Sequence, residues 1–361
     1  MKKKHKALTV ILSITALLLC IILVLSNISL LNIPKSIDYK IDEVRATWSR
    51  GNGPTVDGVD IDYSYYSPID NGAPANKKYP VIVIMAGALE GLQEGFELVA
   101  NVMPVWTTAD YQARFKDGGA YLFIARAPEE DWRYWDSSKL TPCLKAAIDD
   151  FCSQNPNADT ERLHIIGWCL GGNGAINLAA SYPNEFSSAT IMCPDRAISK
   201  NEALALKNMP VWFMGSETDT YSSYKRNVFK SYKRLCAVSN RKDDIRITSY
   251  SSAPDVPLLE KIPFIFNHNL WNNLAMDMPS NEQEYPDMRT VDGNGKTIEN
   301  SSAITWLDSI TIADGREKSD ARETNSFGYK LHFFFQETLK VFFKERLMKL
   351  MLNTFTLLGL I

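Results

Sequence analysis

Between residues 59 and 250 the chain is a succession of short apolar runs separated by segments with helical spacing. The runs are Val81–Met85, Ala120–Ala125, Leu163–Gly167, Ala189–Cys193, Val211–Met214 and Ile245–Tyr250. Before them, Val59, Ile61, Tyr63 and Tyr65 alternate with polar residues up to the turn at Asp70-Asn71-Gly72. Continuous short apolar runs match strands covered on both faces, whereas strict alternation marks a strand with one wet face. The clearest helix runs from Pro142 to Cys152, with Leu144, Ala147, Ile148 and Phe151 on one side. Buried strands alternating with helices predict an α/β fold: a mostly parallel central sheet flanked by helices. In such sheets the chemistry lies beyond the carboxyl ends of the strands.

The flanks follow a different pattern. Lys2, Lys3, Lys4 and Lys6 precede an uncharged stretch from Ala7 to Pro34, almost wholly apolar between Leu8 and Leu25. A run of roughly 20 apolar residues spans a bilayer, and flanking lysines stay on the cytoplasmic side. Residues 1–34 are therefore expected to form an N-terminal transmembrane helix, a single-pass anchor that leaves the rest of the chain outside the cell. The alternative is a signal segment that is cleaved to release a secreted protein. Residues 35–56 read as a polar linker, 57–275 as the core, and 276–325 as an irregular polar insertion. In 326–361, Leu331, Phe334, Phe335, Leu339 and Phe342 keep helical spacing, so an amphipathic C-terminal helix is expected. Its last uncharged run, Leu350 to Ile361, is too short to cross a membrane.

Charge and cysteine content narrow the function. A net charge of −3 over 361 residues offers no basic footprint for nucleic acid. The six cysteines are too sparse for a disulfide scaffold and lack zinc-type spacing. A free reactive thiol outside the cell would be open to oxidation.

One segment carries chemistry. Gly167-Trp168-Cys169-Leu170-Gly171-Gly172 lies between a strand-type run, Leu163–Ile166, and a small-residue, helix-compatible stretch from Asn173 to Tyr182. A sharp strand-to-helix turn needs glycine on both sides of its apex, and the apex residue is then exposed above a helix amino terminus. Cys169 stands at that apex as a candidate nucleophile, in a position that favours thiolate. A cysteine nucleophile needs a base, an orienting acid and an oxyanion site. Of the four histidines, His5 lies across the predicted membrane, His164 in the strand feeding the elbow and His332 in the aromatic tail. His268 remains as base. The acid is expected after the Val211–Met214 strand, where Asp219 is the first choice, Glu217 the second and Asp195 the third. Oxyanion donors are expected from the backbone of Leu170 and, in the glycine-containing loop Ala86–Gly91, of Ala88. Neither a metal nor an organic cofactor is implied.

At these residues the chain resembles the α/β-hydrolases. The elbow is similar to that of dienelactone hydrolases, which also use Cys-His-Asp, and nucleophile, acid and base occur in the hydrolase chain order. Over roughly residues 60–275 the pattern resembles polyhydroxybutyrate-depolymerase and feruloyl-esterase-like proteins. Tyr79-Pro80, Ala127-Pro128 with Trp132, Asp159-Thr160-Glu161-Arg162, Tyr182–Phe186 and His268-Asn269-Leu270-Trp271 carry that likeness. Those esterases have serine where Cys169 stands, and their His-Gly is Ala86-Gly87 here. The resemblance implies an α/β-hydrolase fold and an exported enzyme acting on carboxylic esters or lactones, small or polysaccharide-linked. The alternatives are a catalytically silent hydrolase-fold binding protein, or an acyltransferase or peptidase of that fold.

Overall fold

The computed structural model describes residues 47–87, 103–126, 128, 135, 139–219, 221–251, 268, 270, 277, 286–312 and 316–323. The expected membrane segment 1–34, Ala88 and the C-terminal helix of 326–361 lie outside these residues. Among the described residues, no helix is long and apolar enough to cross a membrane.

Strands β1 (Ser49–Asn52), β2 (Asp62–Tyr66), β3 (Tyr79–Met85), β4 (Tyr121–Ala125), β5 (Ala158–Trp168), β6 (Ser188–Met192), β7 (Val211–Ser216), β8 (Ile245–Tyr250) and β9 (Met288–Asp292) form one sheet. Their order is β1-β2-β4-β3-β5-β6-β7-β8-β9. The six strands from β4 to β8 are mutually parallel. β1 and β2 at one edge and β9 at the other are antiparallel.

Each predicted apolar run is a strand because its residues are buried on both faces. In β3, Val81, Val83 and Met85 enter one core layer and Ile82 and Ile84 the other, as the two-residue period of a strand requires. Burying each such side chain is worth about 1.5–3 kcal/mol. The first layer packs under α3 (Leu140–Gln154) and α4 (Leu170–Ser181). The second packs under Trp106 of α1 (Met103–Trp106), Tyr111 of α2 (Ala109–Gln112) and a later helix, α7 (Ala303–Asp308). Every residue of α4 from Leu170 to Ala180 is buried. Its glycines and alanines let it lie close to β5 and β6, with neighbours on all sides. Between these, α5 (Lys200–Ala205) starts in a capping box made by Ser199 and Glu202. A π-helical turn, Tyr224–Val228, leads into α6 (Phe229–Val238).

The polar stretch 276–325, expected to be irregular, supplies both β9 and α7. Met288 and Thr290 are buried by pairing with β8, and Ile304, Trp306 and Leu307 enter the second core layer. Too few apolar residues mark this stretch for a sequence pattern to stand out, and the neighbouring strand and Trp212 decide its structure. Likewise β1 lies within the stretch read as linker, held by pairing to β2. Farther on, Arg322 donates to Asn177 Oδ1 at 2.7 Å and Glu202 Oε1 at 3.2 Å, tying residues 316–323 to α4 and α5. Burial would raise the Glu202 carboxyl, but Arg196 and Arg322 hold it down at about 2.

Candidate active site

β5 ends at Trp168 and α4 begins at Leu170, so a single residue, Cys169, makes the turn between them. It holds φ 57° and ψ −119°, outside the common regions for a residue with a Cβ. The turn closes only because both flanks lack side chains. A Cβ on Gly171 would run into the carbonyl oxygens of Met85 and Ala86, and one on Gly167 into the carbonyl of Gly171. Cys169 is anchored by donating its N–H to Met192 O at 3.0 Å. Leu170 opens α4 immediately after Cys169 in the chain, so its N–H is one of the four that have no intrahelical partner. The other oxyanion candidate, Ala88, lies outside the described residues.

The expected base and acid come together. His268 Nδ1 and Asp219 Oδ2 lie 2.7 Å apart, with both side chains buried. The other carboxylate oxygen, Oδ1, accepts the backbone N–H groups of Tyr221 at 2.8 Å and Ser222 at 2.9 Å. Glu217, the alternative acid, is exposed, and it does not share this bond. Asp195 donates its backbone N–H to Asn173 Oδ1. With Nδ1 engaged, Nε2 is the nitrogen left to face the sulfurs. It is buried and has no hydrogen-bond partner among the described residues.

Burial alone would lower the His268 pKa. The Asp219 carboxylate, helped by the sulfurs of Cys169 and Cys193, holds it well above the ordinary histidine value instead. His164 is the contrast: fully buried in β5 with Nδ1 2.8 Å from Ser188 Oγ, it is pushed down to about 3, mainly by burial. It is a neutral strand residue, as expected.

Two neighbours of the base were not foreseen. Trp168 donates its indole N–H to the His268 carbonyl at 2.6 Å, and its ring lies 5.0 Å from the imidazole. Tyr221 lies 4.8 Å from the imidazole. Trp168 adjoins the nucleophile in sequence, and its place there was the available signal. Gly87 makes room for it, since a Cβ at that position would meet the Trp168 ring. A third neighbour, Cys193, ends β6; its sulfur, a ring nitrogen of His268 and a carboxylate oxygen of Asp219 lie within 4.8 Å of one another. A metal there would compete for oxygens and a nitrogen already used in hydrogen bonds, so this grouping fits an acid-oriented base better than a metal cage. A groove of about 1010 Å³ is lined by Asp219, Tyr224, Phe229, Tyr232 and Arg289 among others. Neither Cys169 nor His268 lines it.

Fold and elbow together are of the α/β-hydrolase type, with the turn at the carboxyl end of a central parallel strand. Residues 108–254 match the Dienelactone hydrolase family, a stretch that holds Cys169 and Asp219 but not His268. The matched stretch is less than half of the chain. No curated protein matches the chain. Among solved structures, a thermostable esterase is similar with a TM-score of 0.54 and 18% identity, over 74% of this chain and 64% of that one. An acylaminoacyl peptidase from Pyrococcus horikoshii has a TM-score of 0.40 and 16% identity, covering 53% of this chain and 35% of the other. A provisionally assigned dienelactone hydrolase from Klebsiella pneumoniae subsp. pneumoniae MGH 78578 has a TM-score of 0.40 and 17% identity, covering 57% and 86%. The chain thus spans less than two thirds of the first two of these.

Proposed function

We propose that the chain is an exported, membrane-anchored hydrolase that cleaves carboxylic esters or lactones through a Cys169-His268-Asp219 triad. The observation that carries this reading is the pairing of His268 with Asp219 through Nδ1, while its buried Nε2 is left for a thiol at a strained elbow.

His268, oriented by Asp219, takes the thiol proton of Cys169 through its free Nε2, giving a thiolate beside an imidazolium. The sulfur attacks the ester carbonyl carbon, and the oxyanion that forms is met by the Leu170 N–H and by a second donor from the loop after β3. The imidazolium then protonates the departing alkoxide as the tetrahedral intermediate collapses to a thioester. The neutral ring next takes a proton from water, hydroxide attacks the thioester, and the acid leaves with the thiolate restored. Asp219 keeps the ring in one orientation and stabilises its charged form throughout.

The substrate is a small ester or lactone, and a polysaccharide-linked ester extends the same class. The uncharged span Ala7–Pro34 behind four lysines supports an anchor with the catalytic part outside.

Purified full-length protein and Cys169→Ala should be compared on p-nitrophenyl, feruloyl and lactone substrates, with hydroxylamine trapping of the thioester. Turnover by Cys169→Ala at the wild-type rate would overturn the mechanism. The protein should also stay with membranes through a high-salt wash and be digested by protease added outside wall-stripped cells. Protection from that protease would overturn the topology.

A further inference from the structure

Hydrolysis by the proposed triad uses one thiol, yet two converge on His268. The last register pair between β5 and β6 is Trp168–Met192, so the next residues on the two strands are Cys169 and Cys193. Each continues the ladder by one bond: Cys169 N–H donates to Met192 O at 3.0 Å, and Cys193 N–H to Met214 O at 2.9 Å. Both then leave their strands with positive φ, 57° and 41°. Neighbouring strands run about 4.8 Å apart, and a disulfide bridges Cα atoms roughly 4.4–6.8 Å apart; at rest Cys169 packs in the first core layer and Cys193 in the second, so a side-chain rotation must precede bond formation. Both sulfurs act on the same imidazole, and both thiols are free. The unpartnered, buried Nε2 of His268 is the base available to either.

We propose that Cys193 is a resolving thiol for Cys169, so that the pair is a site of reversible oxidation by peroxides. Once His268 has taken the Cys169 proton, the thiolate attacks one oxygen of a hydroperoxide and becomes a sulfenic acid; the other oxygen leaves as hydroxide or alkoxide and takes that proton back from His268, which is neutral again. The Cys193 sulfur then attacks the sulfenyl sulfur. His268 takes the Cys193 proton, hydroxide departs from Cys169 and receives that proton, and a disulfide and water result. With hydrogen peroxide, two thiols are oxidised by two electrons and the peroxide is reduced to two waters. Burial pushes the Cys193 thiol up to about 11, so it stays protonated at rest, does not compete with Cys169 as a nucleophile, and needs His268 when it attacks. The disulfide masks Cys169 before a second peroxide can drive it to the sulfinic acid, which thiols do not reverse. A dithiol reductant restores the pair.

The test uses the purified full-length chain, two equivalents of hydrogen peroxide, alkylation of remaining thiols and non-reducing digestion with mass spectrometry. The expected product is a peptide pair joined through Cys169 and Cys193 and lighter by two hydrogens, present in Cys236→Ser as well and lost on treatment with dithiothreitol. In Cys193→Ser and Cys193→Ala, Cys169 should instead gain two oxygens and resist dithiothreitol. Sulfinic acid at Cys169 of the wild type, with no Cys169–Cys193 link at the same dose, would overturn the proposal. So would full dithiothreitol reversal in both Cys193 variants. The mass readout needs only a reactive Cys169 thiol, so it stands whether or not esters are cleaved.

Discussion

Replacing Asp219 by asparagine removes one charge without changing the shape of the side chain, and its effect follows from the hydrogen bonds. Oδ1 accepts two backbone N–H groups, from Tyr221 and Ser222, so the amide oxygen of an asparagine must keep that side. Its NH2 is then turned toward His268 Nδ1, 2.7 Å away, where it can only donate. Nδ1 must become the acceptor, the ring proton moves to Nε2, and the nitrogen facing Cys169 no longer serves as a base. The carboxylate that holds the His268 pKa up is lost in the same step. The equivalent tautomer swap in a serine triad costs about 10⁴ in kcat. A loss of about 10³–10⁴ here corresponds to about 4–5.5 kcal/mol of transition-state stabilisation. Because the new side chain satisfies the same backbone donors, the urea midpoint should move little. The assay is kcat and KM on p-nitrophenyl acetate, with Glu217→Gln, whose side chain is exposed, as a control expected to keep most of the activity. Retention of a third or more of wild-type kcat by Asp219→Asn, at saturating substrate, would refute the assigned role of the carboxylate.

Three other outcomes are expected. At pH 7.5 iodoacetamide should label Cys169 well before the other described thiols, because burial pushes Cys143 up, Cys152 to about 12, and Cys193 and Cys236 to about 11; peptide mapping that finds Cys152 or Cys236 labelled first would contradict this. His164 binds its proton only near pH 3 when folded, whereas an unfolded histidine does so near 6.5, so its contribution is present above about 6.5 and is lost as pH falls toward 3. That is at most about 1.4 kcal/mol per pH unit below 6.5, and His164→Gln should flatten the fall in urea midpoint between pH 6.5 and 5; an unchanged slope would show that other groups set it. His268 has the opposite sign: its raised pKa contributes stability below about pH 6.5 that is lost as pH rises through the folded value. Gly171→Ala should cost about 1–3 kcal/mol or more, since backbone carbonyls rather than flexible side chains meet the new methyl, and should abolish ester cleavage; circular-dichroism melts matching wild type would count against the tight elbow.

The sequence by itself determined the parallel centre of the sheet and the elbow. β3 to β8 are buried on both faces, so their apolar runs stand out regardless of neighbours, and Gly167 and Gly171 mark a turn that a β-carbon would block. Chain order and the scarcity of histidine singled out His268, and an acidic loop after β7 held Asp219. Which acid in that loop meets the imidazole was decided by tertiary structure, because Glu217 and Asp219 differ in the direction their backbone gives them and not in chemistry. The same holds for β9 and α7, whose polar stretch becomes ordered only against β8 and Trp212. Trp168 and Tyr221 acquired their contacts with His268 across 100 and 47 residues of chain, a separation at which no local pattern operates. The convergence of Cys193 on the same imidazole has that cause too: adjacency in a parallel sheet is set by strand order, and strand order is decided by how helices cover both faces at once.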